Sequence, residues 1–255
     1  MLQIEQIPVL ADNYVYLVHE PAAKLTAVVD PAVTEPVLAV LARHGWRLTH
    51  ILNTHHHHDH VGGNEALKAA TGCLVVGPRA DRERIPGIDV ALGDGDVFEF
   101  GANRARVFDV PGHTRGHIAY HFADAHALFC GDTLFALGCG RMFEGTAPEM
   151  WSSLEKLRGL PGDTRVYCAH EYTQSNGRFA LSVEPGNAAL VARMREVDAR
   201  RAANEPTVPS TLAEELATNP FLRPDSAEIQ AAVERVGAPL HEVFGATRAR
   251  KDVFR

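Results

Sequence analysis

The sequence predicts an α/β protein that ends in a helical region, and three observations predict it. Short β-branched and aromatic runs alternate with helix-like segments through the first two-thirds of the chain. Strand signals nearly vanish after residue 172. Ligand-type side chains also recur where the strand-like runs end, a placement that suits one shared site.

The elements follow in order. "YVYLV" (14–18) and "TAVVD" (26–30) are strand runs separated by "HEPAAK", which predicts a hairpin. "TEPVLAVLARHG" predicts a helix with Thr34 as N-cap, Pro36 in the first turn and Gly45 as the stop. "LTHILNT" (48–54) returns to strand character, and "GGNEALKAATG" (62–72) reads as a helix followed by the strand "CLVVG" (73–77). "DVFEF", "ARVFDV", "HIAYHF" and "ALFCGDT" are further strand candidates between 96 and 133, and "TRVYCAH" (164–170) is one more. Thr146 and Glu149 form a capping-box pair, as do Thr211 with Glu214 and Asp225 with Glu228. "PGNAALVARMREVDARRAANEP" is a charged amphipathic helix, and Gly237 closes the last clear one. A domain boundary is therefore expected near 172, giving domains 1–172 and 173–255.

Composition narrows the function. The 255 residues suffice for one large core, or for a large domain with a smaller one attached. A net charge of -7 argues against a nucleic-acid binder, which needs an excess of Lys and Arg. Glu5 and Asp12 interrupt the N-terminal stretch, and no window approaches the length of a membrane span. We therefore expect a cytoplasmic monomer with no membrane or nucleic-acid partner. Cys73, Cys130, Cys139 and Cys168 show no Cys-x-x-Cys spacing and read as buried structural thiols.

The chemistry centres on "THHHHDH" (54–60). In an extended segment His55, His57 and Asp59 face one side, and His60 follows where the chain turns toward the next helix. His56 and His58 then point elsewhere. His56 suits a supporting hydrogen bond, while His58 either lines a substrate mouth or is solvated. Alone, such a tract reads equally well as a solvated loop. Three further strand ends tip the balance: His113 in "VPGHT", Asp132 in "CGDT" and His170 in "CAHEY". Seven ligands suffice for two ions if Asp132 bridges. His55, His57 and His113 would serve one ion, and Asp59, His60 and His170 the other. Imidazole and carboxylate without thiolate suit zinc, with iron or manganese also compatible, and leave positions open for water. His117 reads as a structural hydrogen-bonding residue.

The run with its later His, Asp and His resembles the metallo-β-lactamase superfamily, whose motif is Thr-His-x-His-x-Asp-His. "GDTLFALGCGRMFEGT", "YCAHEYTQSN", "EPGN", "EPTVPSTLAEELATNPFLR" and "RARKDVF" further resemble its glyoxalase II, or hydroxyacylglutathione hydrolase, family across essentially the whole chain. That resemblance implies an αββα sandwich with an added C-terminal helical domain, and hydrolysis of S-D-lactoylglutathione to D-lactate and glutathione. It also implies substrate contacts from Arg141, Tyr172, Arg248 and Lys251. Arg141 stands where many relatives have lysine, and Phe143 where tyrosine can occur, so a hydroxyl contact is lost there. Asp59 and Asp132 are the expected catalytic carboxylates, with a water of lowered pKa attacking the thioester. The alternative is a single-iron persulfide dioxygenase of the same superfamily.

Overall fold

The computed structural model describes residues 1–254. They divide into two compact units: Met1–Val110 with Thr114–Gly131, and Pro111–His113 with the chain from Asp132 onward.

In the first unit, β1 (Gln3–Val9), β2 (Asn13–Glu20), β3 (Leu25–Val29), β4 (His50–Leu52), β5 (Leu74–Pro78) and β6 (Val90–Leu92) form one sheet in that order. β1 to β3 are antiparallel, with Leu17 opposite Val28 in the expected hairpin, and β4 to β6 add in parallel. Parallel additions need crossovers. These are α1 (Glu35–His44) before β4, then α2 (His58–Val61) and α3 (Asn64–Thr71) before β5. Val37, Leu41 and Leu67 of α1 and α3 are buried against Val15, Leu17, Val28, Ile51 and Val75 of the strands.

The strands β7 (Val97–Phe100), β8 (Asn103–Asp109), β9 (Ile118–Phe122) and β10 (Ala127–Gly131) pair antiparallel, in the order β10-β9-β8-β7. They cover the other face of the first sheet. Tyr16 lies 5.6 Å from Phe129, and His50 is edge-on to Phe98 at 5.4 Å. The buried Tyr120 hydroxyl donates to the Asn53 carbonyl at 2.9 Å, the partner a buried phenol requires.

The second unit holds the hairpin β11 (Leu134–Phe135) and β12 (Gly138–Cys139), then α4 (Ala147–Arg158), β13 (Arg165–Cys168), α5 (Thr173–Val183) and α6 (Ala188–Ala202). It continues with β14 (Ser210–Thr211), α7 (Leu212–Thr218), α8 (Ala227–Ala232) and α9 (Leu240–Asp252). Among the described residues beyond 172 the only strand is β14, antiparallel to β13.

Several local expectations change in the structure. Thr34 does not cap α1, because its backbone is already helical at φ -95° and ψ -49°. Gly45 ends that helix as expected, at φ 65°. The Thr146 and Thr211 boxes form, but Ser226 rather than Asp225 caps α8, and Glu228 turns instead to the Gly186 amide at 2.9 Å. Gly237 is not the last helix signal, since α9 follows it. The buried face of α9 includes Thr247 and Arg248, which masks its apolar period. Within α9, a Cβ on Gly245 would stand 2.9 Å from that of Ala147, so glycine lets α9 approach α4 closely.

The two threonines provide a test. The Thr211 hydroxyl accepts from the Glu214 amide and the Glu214 carboxylate accepts from the Thr211 amide. Thr211→Ala should therefore cost about 1 kcal/mol in urea unfolding. Thr34→Ala should stay within about 0.5 kcal/mol.

Candidate metal centre and cationic pocket

In the first unit the histidine run leaves β4 and enters α2 at His58, one turn sooner than strict alternation predicts. His55 and His57 still converge, with Nε2 of one 3.1 Å from Nδ1 of the other. Asp59 reaches the same place from the first helical turn, with Oδ2 3.5 Å from His60 Nε2. Asn13 steadies Asp59 with a 3.0 Å amide bond to that oxygen.

One buried carboxylate orders this group. Asp30 accepts the Thr54 amide at 2.8 Å and the Thr54 hydroxyl at 2.6 Å. It also accepts His60 Nδ1–H at 3.1 Å, while the Thr54 oxygen takes His55 Nδ1–H at 3.1 Å. Both imidazoles therefore turn Nε2 toward the candidate ligands His57 and Asp59, the usual division between a ligating nitrogen and its supported partner. Asp30, His55 and His60 form one compact set of potential ligands. Asp30 sits at φ 49°, a left-handed conformation that aspartate tolerates better than most residues. Gly131 closes over the group at φ 48°, where a Cβ would lie 2.2 Å from Thr54 Oγ1.

The flanking histidines separate by environment. His56 donates from Nδ1 to the buried Asp81 at 3.0 Å and accepts from Arg84 at 3.1 Å, so both its nitrogens are engaged away from the ligands. His58 is exposed. His117 is buried, stacks on His55 at 4.6 Å and donates from Nδ1 to the Ile118 carbonyl at 3.1 Å.

In the second unit Asp132 lies between two imidazoles. His113 Nε2 is 3.4 Å from its Oδ2, and His170 Nε2 is 3.4 Å from its Oδ1. His113 gives its Nδ1–H to the Arg141 carbonyl at 2.8 Å. The chain passes so close that a Cβ on Gly140 would lie 2.0 Å from the Asp132 carbonyl oxygen. Tyr172 stacks flat on His170 at 4.7 Å and is 37% exposed. Phe143, 62% exposed, covers His113 at 5.2 Å.

His113 and Asp132 line a cavity of about 410 Å³ that also includes Arg141, Tyr172, Arg248 and Lys251. Arg248 is only 4% exposed; it donates to the Cys139 carbonyl at 2.9 Å and to Asp252 at 3.0 Å. Its buried Nε has no acceptor among the described residues. Arg141 is more open, with Nε 3.8 Å from Asp252. Lys251 donates to the Ser175 hydroxyl at 3.2 Å. Burial, then the charges of Arg248, Arg178 and Arg141, lower its pKa to about 8, with Asp252 opposing. All four cysteines are reduced and buried, as expected from their spacing. Burial pushes Cys139 up to about 11 and Cys168 to about 12, so neither offers a thiolate near neutral pH.

Residues 10–170 match the metallo-beta-lactamase superfamily, and residues 171–254 match the hydroxyacylglutathione hydrolase C-terminus. The whole chain is 66% identical to the hydroxyacylglutathione hydrolase of Methylococcus capsulatus, covering 100% of both proteins. The chain belongs to the hydroxyacylglutathione hydrolase family of the metallo-beta-lactamase superfamily. Its counterpart in Rhodospirillum rubrum is 58% identical, with 99% of each chain covered. Among solved structures, ETHE1 from Myxococcus xanthus is similar at a TM-score of 0.71 and 25% identity, covering 99% of this chain and 92% of that one. TTHA1623 in a di-iron-bound form has a TM-score of 0.54 and 29% identity, covering 64% and 90% respectively. The chain thus has the metallo-beta-lactamase fold with a helical C-terminal region.

Asp30 and Asp252 are the site residues that sequence reasoning missed. Asp30 ends the run "TAVVD", and the strand-end criterion that selected His113, Asp132 and His170 also selects it. Asp252, next to Lys251, carried no signal beyond ordinary helix-end charge. Asp30→Asn should weaken zinc affinity about 10–100-fold in competition with a chromophoric chelator, because one imidazole loses its oriented acceptor. Unchanged affinity would remove Asp30 from the support of the metal ligands.

Proposed function

We propose that the chain hydrolyses 2-hydroxyacyl thioesters of glutathione, S-D-lactoylglutathione foremost, to the free hydroxy acid and glutathione. One observation carries this reading: a single cavity is lined both by the ligand-type residues His113 and Asp132 and by the cations Arg141, Arg248 and Lys251. Such a cavity suits an anionic substrate whose reacting bond needs electrophilic help. Full-length identity with hydroxyacylglutathione hydrolases favours hydrolysis over the dioxygenase alternative.

The donors fit two divalent ions, being imidazoles and carboxylates, while burial pushes the Cys139 and Cys168 thiols up to about 11 and about 12. His55, His57 and His113 would hold one, Asp59, His60 and His170 the other, and Asp132 would be shared. Zinc suits this set best, iron and manganese also fit, and the TTHA1623 structure is described as di-iron-bound. When bound, such ions lower the pKa of water from about 15.7 toward about 7 and polarise a carbonyl.

The remaining roles fall to the protein. Asp59 and Asp132 supply the negative charge that balances the cations, and Asn13 keeps Asp59 turned toward His60. Arg141, Arg248 and Lys251 bind the carboxylate end of glutathione, and their shared place on the cavity lining supports this. Tyr172 borders the cavity with its hydroxyl retained. The departing thiol has an ordinary pKa near about 8.5, so it leaves as thiolate without a dedicated acid. On this reading the chain acts as a cytoplasmic monomer, with its domains divided near residue 172.

Purified, metal-replete protein should hydrolyse S-lactoylglutathione and consume no oxygen with glutathione persulfide. Thioester loss no faster than in buffer would defeat the proposal. Lys251→Ala should raise KM about 10–100-fold with a smaller change in kcat, as expected for a lost charge-assisted bond.

Lys251 carries its charge below a pH of about 8 and loses it above. Accordingly kcat/KM, which reports the free enzyme, should fall as pH rises through that value. Lys251→Arg keeps the cation and should remove that falling limb. A flat wild-type profile across the same range would strike Lys251 from the binding site.

A further inference from the structure

The stretch 205–223 carries much of the family resemblance, yet none of its residues lines the cavity. It grips the turn between β11 and β12 instead. Glu215 on α7 is fully buried. Its Oε2 accepts the Leu137 amide at 2.8 Å and the Asn219 side chain at 2.9 Å, and its Oε1 accepts Arg193 at 2.5 Å. Asn219 also donates to the carbonyls of Phe135 at 3.1 Å and Gly138 at 3.0 Å, and Asn176 donates to that of Ala136 at 3.1 Å. Three side chains therefore hold four backbone groups of one four-residue turn.

The turn needs holding. Leu137 sits at φ 57°, a left-handed conformation that opposes an L side chain. Such a residue persists where its surroundings over-determine it. The hairpin and the residues flanking it touch several parts of the cavity wall. Asp132 stands two residues before it, and Phe135 packs edge-on to His170 at 5.9 Å and Tyr172 at 5.4 Å. On the far strand the Cys139 carbonyl receives Arg248, and the Arg141 carbonyl just beyond receives His113.

We propose that Glu215, together with Asn219, is a positioning residue that locks the Phe135–Gly138 turn and so sets the cationic wall for the glutathione moiety. The substrate half of this statement rests on the function proposed above. A carboxylate is required because three donors converge on it. Glutamine would offer one acceptor oxygen and turn an amide toward Arg193 or Leu137 N–H.

The test compares Glu215→Gln and Asn219→Ala with Leu67→Ala, a core truncation in the first unit, at temperatures set equally far below each Tm. Both clamp variants should lose hydrogen-exchange protection across residues 134–139 and keep the metal content of the wild type. They should raise KM for S-lactoylglutathione at least about tenfold with kcat within about threefold, whereas Leu67→Ala leaves KM unchanged. Should Glu215→Gln fail to fold, Asn219→Ala decides. Unchanged exchange in both clamp variants, or a KM no different from that of Leu67→Ala, overturns the proposal. A wild type that fails to hydrolyse the thioester overturns the functional reading and the substrate half with it; exchange still judges the clamp.

Discussion

Two candidate ligands of the first unit, His55 and His60, share one support, the buried carboxylate of Asp30. A neutral imidazole offers a lone pair on only one nitrogen, so a histidine binds a cation reliably only when its other nitrogen is claimed. Asp30 does this for His60 directly and for His55 through the Thr54 hydroxyl. The second unit reaches the same end with a backbone acceptor, the Arg141 carbonyl, for His113. That bond also ties His113 to the segment bearing the cavity cation Arg141.

Crowding of like charge shapes the cavity. Arg248 and Lys251 share one helix with Asp252, and Arg141 lies within 3.8 Å of the same aspartate. Burial and neighbouring guanidinium groups disfavour the lysine's charge, and Asp252 opposes them only in part. A bound carboxylate would relieve the same repulsion, which supports the anionic substrate proposed for this cavity. The hairpin opposite is held by buried acceptors and donors on α7 and at its end, which fixes the wall at some cost in backbone conformation at Leu137.

Much of this was legible in residue order. The β2–β3 hairpin, α1 with its Gly45 stop, α3 and two of the three capping boxes follow from local chemistry, and each formed. The third box failed because Ser226 is the capping residue and Glu228 serves the Gly186 amide, a choice between partners that neighbouring residues cannot reveal. α9 was hidden because its inward face carries Thr247 and Arg248, polar residues satisfied only by tertiary partners. The exchange of alternation for a helix at His58 changed how Asp59 arrives, while its approach to His60 was kept.

The amino-acid sequence by itself determined the ligand types, their recurrence at strand ends and the family. These depend on side-chain identity and short spacing, which linear order preserves. Tertiary structure decided which nitrogen each histidine can offer, how far Lys251 is shifted, and that Glu215 grips a turn 78 residues away in sequence. Those properties arise from groups brought together by folding, where burial strengthens each hydrogen bond and penalises each unpaired charge.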